Sequence, residues 1–165
     1  MKLIQTQTIG TATASLTFSA IPGTPYTDLV LVIAAANSTG TSMKLQFNSD
    51  TGANYANKAL VGTGSAVSSS IGSSSYVGIY YVSSNAVDTA NTFGSTSIYI
   101  PNYTSATAKT VLVDSVEENN GTTAGQGINA GSWSGTSAIT SVVVTSTSGN
   151  LVAGSVLSLY GITHI

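Results

Sequence analysis

Side chains that could do chemistry are few in this sequence. Its 165 residues include six Asp or Glu, four Lys and one His, and no Cys. Enzymes need groups that transfer protons, attack carbon or hold a metal ion, and those groups must meet in one place. So small a set of acids and bases predicts a protein that binds other molecules without transforming them. We expect no catalytic residues and no cofactor.

Three oxygen-bearing side chains around Gly52 could form a calcium site. Asn48, Asp50 and Asn54 follow a short apolar stretch, at spacings that a Ca²⁺-binding loop could use. The alternative is a hairpin turn in which the same side chains satisfy nearby backbone groups. Ca²⁺ sites usually gather several carboxylates and this segment has one, so the sequence favours the turn over a metal site.

The densest acidic segment contains Asp114, Glu117 and Glu118. A glycosidase needs two carboxyl groups about 5 to 9 Å apart across a cleft. Adjacent residues of a strand point to opposite faces, so Glu117 and Glu118 would not flank one bond, and we expect a solvated strand end. His164 has no nucleophile elbow with which to form a catalytic triad.

Trp133 is the one candidate for stacking against a sugar ring. Sugar-binding modules use exposed aromatic side chains, and Trp133 lies in a Gly- and Ser-rich segment. The alternative is a Trp packed between two sheets. The sequence favours that packed Trp, because Trp is strongly buried on average and other large side chains are scarce here.

Charge and hydropathy exclude several classes of partner. The net charge is −2 and the four Lys are scattered, so the basic stripe that nucleic acid requires is missing. The longest apolar run, residues 29–36, is too short to cross a bilayer, and the first residues lack the apolar core of a signal peptide. We expect a soluble protein made in a cytoplasm, with neither a nucleic-acid nor a membrane partner.

The elements that must position these side chains are predicted to be strands. Residues Asp28–Ala36 are expected to form a buried central strand because their apolar run is unbroken. Gly62–Ser75 is expected to be a long surface loop or partner contact, and Ser84–Phe93 a short helix or an open loop. A turn is expected at Glu118–Gly121. The other predicted strands are Leu3–Ile9, Ala14–Phe18, Met43–Phe47, Tyr76–Ser83, Ser95–Ile100, Lys109–Val116, Gly127–Ser134, Ile139–Ser146 and Ser155–Ile162. The whole chain, 1–165, is predicted to be one antiparallel β-sandwich of about ten strands.

The order of several segments resembles small virion structural proteins of tailed bacteriophages. The resemblance covers nearly the whole chain and is carried by Phe18–Pro22, Tyr26–Leu31, Leu45–Tyr55, Ile98–Tyr103, Trp133 and Leu157–Ile162. It implies a jelly-roll-like β-sandwich without enzymatic activity. One departure concerns residues 34–37, Ala-Ala-Ala-Asn here, where such proteins often have an Arg.

The resemblance also implies a place and partners. It indicates a capsid decoration (cement) protein or a tail or fibre component, made in the cytoplasm of a bacterial host and located on the virion surface. The first of these would bind the major capsid protein or other virion proteins. Low net charge and open strand edges favour a homo-oligomer such as a trimer, with Gly62–Ser75 and the terminal strands as contacts. The alternative function is a carbohydrate- or receptor-binding role on the tail.

Overall fold

Strands make up all the regular structure in the described part of this protein. The computed structural model describes residues 1–118 and 124–164, and those residues form thirteen strands and no helix. They therefore include no helix long and apolar enough to cross a membrane. The strands are β1 (Lys2–Thr8), β2 (Ser15–Phe18), β3 (Asp28–Asn37), β4 (Ser42–Phe47), β5 (Tyr55–Gly62), β6 (Val67–Ile71), β7 (Val77–Tyr80), β8 (Ser83–Ser84), β9 (Gly94–Ile100), β10 (Lys109–Val116), β11 (Gln126–Trp133), β12 (Val142–Ser146) and β13 (Val156–Ile162).

Two antiparallel sheets contain these strands. The large sheet has the order β1-β13-β3-β9-β10-β11-β5-β6, and two-residue β8 adds a short parallel pairing to β3. The small sheet has the order β2-β12-β4-β7. The predicted all-β, sandwich-like class is confirmed, and the described part of the chain has thirteen strands where about ten were expected.

Along the chain, eight strands alternate between the two sheets except that β4 and β7 are both in the small sheet, and we call these eight strands the framework. Four of them lie side by side in the large sheet as β1-β13-β3-β9, and the other four are the whole small sheet. The remaining long strands, β10, β11, β5 and β6, extend the large sheet beyond β9. We call these four strands the wing.

The core lies between the sheets and follows the two-residue period of the strands. In β3, Leu31 and Ile33 point inward and are fully buried, and Met43, Leu45 and Phe47 do the same from β4. Other fully buried members of this cluster are Phe18, Ile79, Ile98, Ile100, Val113, Val142, Val144, Leu157 and Leu159. The clean alternation predicted for Met43–Phe47 is confirmed.

Strand β3 departs from its prediction in one respect. An unbroken apolar run predicted burial on both faces, but Val32 is 39% exposed and Ala34 is also exposed. The strand is central in the large sheet, between β13 and β9. Only one face of that sheet is covered by the small sheet, so apolar residues that point the other way remain in solvent. We call the uncovered side of the large sheet the outer face.

The sequence prediction missed β5 and β6. The inward residues of β5 are Tyr55, Asn57 and Ala59, while Leu60 points outward, so the usual apolar-in pattern is absent. Strand β6 lies within the segment 62–75 that was expected to be a loop, and all five of its residues are exposed. It pairs only with β5 and forms an edge of the large sheet.

Several other boundaries also differ from expectation. The stretch 76–83 is broken at Tyr81, whose positive φ of 55° ends β7 before β8 begins. Segment 84–93 forms turns, held by the Asp88 carboxylate, which accepts from the Ser84 N–H at 2.6 Å. Strand β12 begins at Val142, three residues later than predicted. The turn expected at 118–121 falls largely on residues 119–123, which lie outside the described residues.

Candidate interaction surface

The proposed calcium ligands form a hydrogen-bonded turn. Asp50 Oδ1 accepts from the Gly52 N–H at 2.9 Å, and Asn54 Nδ2 donates to Asp50 Oδ2 at 2.9 Å. Asn48 turns away and binds the segment before β12, where its Oδ1 accepts from the Thr140 N–H at 2.8 Å. The Asp50 carboxylate is thus surrounded by N–H donors, as expected for the hairpin turn that the sequence favoured over a calcium site.

Trp133 is buried, and its indole N–H donates to Asp50 Oδ2 at 2.7 Å. Its ring packs against Phe47 and Tyr55, with centroids 5.7 and 6.5 Å away. Hydrogen bonds from Trp133, then Gly52 and Asn54, lower the pKa of Asp50. With 3% of its surface exposed, Trp133 is a core residue whose faces are not open to stack a sugar.

Two further groups complete this aromatic cluster. The Tyr55 hydroxyl donates to the Asp50 carbonyl and accepts from the Phe47 N–H, and burial raises the pKa of Tyr55 to about 12. The Lys109 ammonium lies 5.7 Å from the centroid of the Trp133 ring and donates to backbone carbonyls, including that of Ser137 at 3.1 Å. Burial lowers the pKa of Lys109. These contacts tie the loops beside β4, β10 and β11 together.

A second polar cluster forms at the start of β3, and sequence reasoning did not anticipate it. Asp28 is buried, and its carboxylate accepts from the Tyr99 hydroxyl at 2.6 Å and the Asn102 N–H at 2.9 Å. His164 Nε2 lies 2.5 Å from Asp28 Oδ2. Burial acts to raise the pKa of Asp28, but the bonds from Tyr99, Asn102 and His164 outweigh it, and the pKa is lowered. The carboxylate anchors the C-terminal segment to the large sheet.

The acids of the segment 114–118 separate in space. Asp114 points outward from β10, opposite Ile128 of β11. Glu117 Oε1 accepts from the Gly125 N–H at 3.1 Å, and burial, with a contribution from Asp88, raises the pKa of Glu117. Asp114 therefore lies on the outer face of the sheet, whereas Glu117 lies just after β10 and binds the backbone just before β11.

Two amide side chains occupy the middle of the inner face of the wing, between the apolar Val111 and Val113 of β10 and the aromatic Tyr55 and Trp133. Asn57 of β5 and Asn129 of β11 are both buried, and Asn129 Nδ2 donates to Asn57 Oδ1 at 3.2 Å. Asn57 Nδ2 also donates to the Ser73 and Tyr76 carbonyls, at 2.7 and 3.1 Å. These amides satisfy backbone groups next to β7 that have no strand partner on that side.

Glycine lets β7 approach the wing closely. A Cβ at Gly131 would come within 2.8 Å of the Val77 side chain, and a Cβ at Gly127 within 3.2 Å of the Tyr80 carbonyl oxygen. At such distances a larger residue forces the structure to shift. The space between β7 and β11 is thus too narrow for large side chains at these two positions.

The outer face of the wing also carries large apolar side chains. Across its strands, one row reads Leu112, Ala130, Lys58, Ile71; the next Asp114, Ile128, Leu60, Ser69; and the third Val116, Gln126, Gly62, Val67. In the part of the chain that the structure describes, six of the ten exposed large hydrophobic side chains belong to this set: Leu60, Val67, Ile71, Leu112, Val116 and Ile128. A contiguous exposed apolar patch marks a surface that contacts another molecule.

The outer face of the framework continues this surface, and Asp28, whose buried carboxylate is bound by Tyr99 and His164, lies at one end of it. Its rows contain Val30, Val32, Ala34 and Val156 among Ser, Thr and Tyr side chains. A shallow groove follows β5 on the wing, lined by Lys58, Leu60, Ile71, Ile128 and Ala130. The whole outer face is therefore broad, weakly polar and open, and it is the candidate functional surface of this protein.

Comparison with known proteins adds no relative, since the chain shows no significant match to a family model, a curated protein or a solved structure. Sequence reasoning missed the outer face of the wing because β5 and β6 were not recognised as strands. The signal that could have revealed β5 is the alternation of side chains along Tyr55–Leu60. Its inward positions hold Tyr55, Asn57 and Ala59, so an amide and a small residue stand where large apolar residues are usual.

Proposed function

We propose that this chain is a non-catalytic structural protein of a tailed-bacteriophage virion, which decorates the assembled capsid as a homo-oligomer and stabilises the shell. The observation that carries the proposal is the open, weakly polar outer face of the large sheet. A surface with few charges associates without a large cost of desolvating ions. A building block of a particle needs such a surface for its neighbours.

The connectivity of the framework supports a jelly-roll-like sandwich. Strands β1, β3, β9 and β13 occupy one sheet in the order β1-β13-β3-β9, and β2, β4, β7 and β12 occupy the other in the order β2-β12-β4-β7. Successive framework strands thus alternate between the sheets, except for β4 and β7, which pair with each other, and the last strands, β12 and β13, pair with the first, β2 and β1. Capsid domains with this double-sheet arrangement are well known. The wing is then an addition to the eight-stranded framework.

The use of the ionisable groups supports a non-catalytic role. Asp50 holds a turn and an indole, Asp28 anchors the C-terminal segment, and Lys109 is buried against backbone carbonyls. Each group is engaged by structural donors or acceptors of its own. A catalytic site instead needs two or more such groups converging on a space that a substrate can enter.

The experiment is a rebinding assay with virions. The protein is stripped from particles and returned to bare capsids at low and at high salt, and capsid heat resistance is compared with and without it. We expect rebinding and added heat resistance that persist at high salt, since screening over about 3 Å at 1 M weakens ion pairs but not apolar contacts. Binding only to purified tails or host glycans, with capsids neither bound nor stabilised, would replace this function by the receptor-binding one.

A further inference from the structure

We propose that the outer face of the wing is a self-association surface, which packs face to face on the same face of a second copy about a two-fold axis. In this dimer, Asp114 of each copy pairs with Lys58 of the other. The inference deepens the proposed function, on whose homo-oligomer it rests, by naming the surface and the symmetry.

The first argument is the exposure of large apolar side chains on the wing. In the middle of β5 and β11, Asn57 and Asn129 are buried, while Leu60 and Ile128 on the outer face are 52% and 44% exposed. A strand that packs on one side only normally places its apolar residues on the packed side and polar ones on the other. Leu60 and Ile128 face each other across neighbouring strands, in the middle of the patch. This arrangement stabilises the protein only if another surface covers it.

The second argument is the charge on the patch. Its rows contain one acid, Asp114, and one base, Lys58, and neither takes part in an ion pair within residues 1–118 and 124–164. They stand on the two strands that flank β11, one row apart. Strand spacing and side-chain repeat place them roughly 12 Å apart in projection. The patch is thus neutral overall but has a positive and a negative end.

That disposition is self-complementary. The midpoint between Asp114 and Lys58 lies over β11, beside Ile128 and Ala130. A two-fold axis in the plane of the interface, perpendicular to the line joining the two charges, exchanges their positions. Each acid then meets a base of the other copy, and the apolar residues meet each other between the two ion pairs. A surface that is complementary to itself is what a two-fold dimer requires.

The area fits a small, concentration-dependent dimer. Each outward position of a sheet covers about 33 Å², so the three rows of the four-stranded wing cover about 400 Å² in projection. Because the two-fold axis passes over β11, the partner's β6 lies near β9 and the two frameworks extend away from each other, so the interface is the wing with β9 and is smaller than the roughly 800 Å² per partner of a standard interface. Edge strand β6, whose residues are all exposed, gains burial that its own chain does not provide.

Charge reversal tests the pairing directly. Sedimentation velocity of the isolated protein across the micromolar range gives the dimer dissociation constant. Asp114→Lys and Lys58→Asp alone each oppose like charges at both ion pairs, and each should raise that constant about tenfold or more. The double variant restores opposite charges, and should return it to within about threefold of wild type.

A hydrophobic variant and its control test the apolar part. Leu60→Ser removes a central side chain and should abolish the dimer, with the melting temperature measured in dilute, monomeric protein unchanged. Val87→Ser removes an even more exposed apolar side chain from the loop after β8, outside the wing, and should leave the dissociation constant unchanged.

Two results would overturn the inference: a wild-type protein that stays monomeric, or a double reversal as weak as the single ones. If the wild-type protein is monomeric but still rebinds and stabilises capsids, the wing dimer is wrong and the capsid-stabilising role stands. If the wild-type protein dimerises but does not bind capsids, the dimer stands and the capsid-stabilising role is wrong.

Discussion

The framework and the wing belong to one continuous sheet, but the wing also presents large apolar side chains on its outer face. In the framework, Leu31, Ile98 and Leu157 point inward and are fully buried under the small sheet. In the wing, Val113 and Trp133 point inward as well, but Leu60 and Ile128 point outward, and Asn57 and Asn129 occupy the middle of the inner side. The difference follows the packing on the inner side, because the middle of the wing meets the backbone of β7 and its preceding loop, which need hydrogen bonds.

This contrast teaches that one sheet can perform two tasks. The framework contributes most of the stability, because burial of apolar surface is the main favourable term in folding. The wing adds less burial of its own and presents apolar area outward. Substitutions should therefore lower the stability of the monomer most in the framework, and affect association most on the wing.

The largest effect is expected for Phe47→Ala, in the framework. Phe47 is fully buried in the aromatic cluster with Trp133, and its truncation leaves a cavity that close-packed neighbours cannot fill. The free energy of unfolding should fall by about 3 to 5 kcal/mol, measured by denaturant titration. Leu112→Ala on the outer face is the control and should change it by less than about 1 kcal/mol in dilute protein. Equal losses at both positions would break the comparison.

A smaller loss is expected for Asn57→Ala, on the inner face of the wing. The substitution leaves the carbonyls of Ser73 and Tyr76 without the amide that now binds them. Buried groups that lose a hydrogen-bond partner cost about 1 to 3 kcal/mol, which denaturant titration can resolve. Ala56→Ser, the exposed neighbour, should stay within about 0.5 kcal/mol of wild type. A neutral Asn57→Ala would show that the polar inner face is dispensable.

The third prediction concerns acid pH and the edge of the framework. Because the folded pKa of Asp28 is below its ordinary value of 3.8, its stabilising contribution is complete above that value and is lost as pH falls through the folded pKa. Tyr99→Phe removes one bond to the carboxylate, so the slope of unfolding free energy against pH should become shallower in this range. Tyr160→Phe, on the neighbouring strand β13, is the control and should keep the wild-type slope. An unchanged slope in Tyr99→Phe would contradict the role given to Asp28.

The smallest effect is expected from a chelator. The oxygens of Asp50 are occupied by the Gly52 N–H, the Asn54 amide and the Trp133 indole, so the turn holds its shape by itself. Melting temperature measured with and without EDTA should agree within about 1 °C, because a ligand stabilises only what it binds. A large fall with EDTA would reinstate the calcium site at Asn48, Asp50 and Asn54.

Local pattern was enough to predict much of the framework and its fold class. Strands β4, β9 and β10 could be placed from alternation alone, because the two-residue period is a property of the chain itself. The same pattern identified Phe47 as a core residue, and the carboxylate count favoured the turn at Asp50. These predictions depend on residues within one segment, which a sequence displays directly.

Contacts between distant segments were decided only by the tertiary structure. Asp50 meets Trp133 across 83 residues and Asp28 meets His164 across 136, and no local signal indicates either pairing. The wing shows the same limit, since alternation reveals that two faces differ but not which one will be covered. Burial depends on what packs above a strand, and that depends on the whole chain. The close approach of β7 therefore turned Asn57 inward and Leu60 outward.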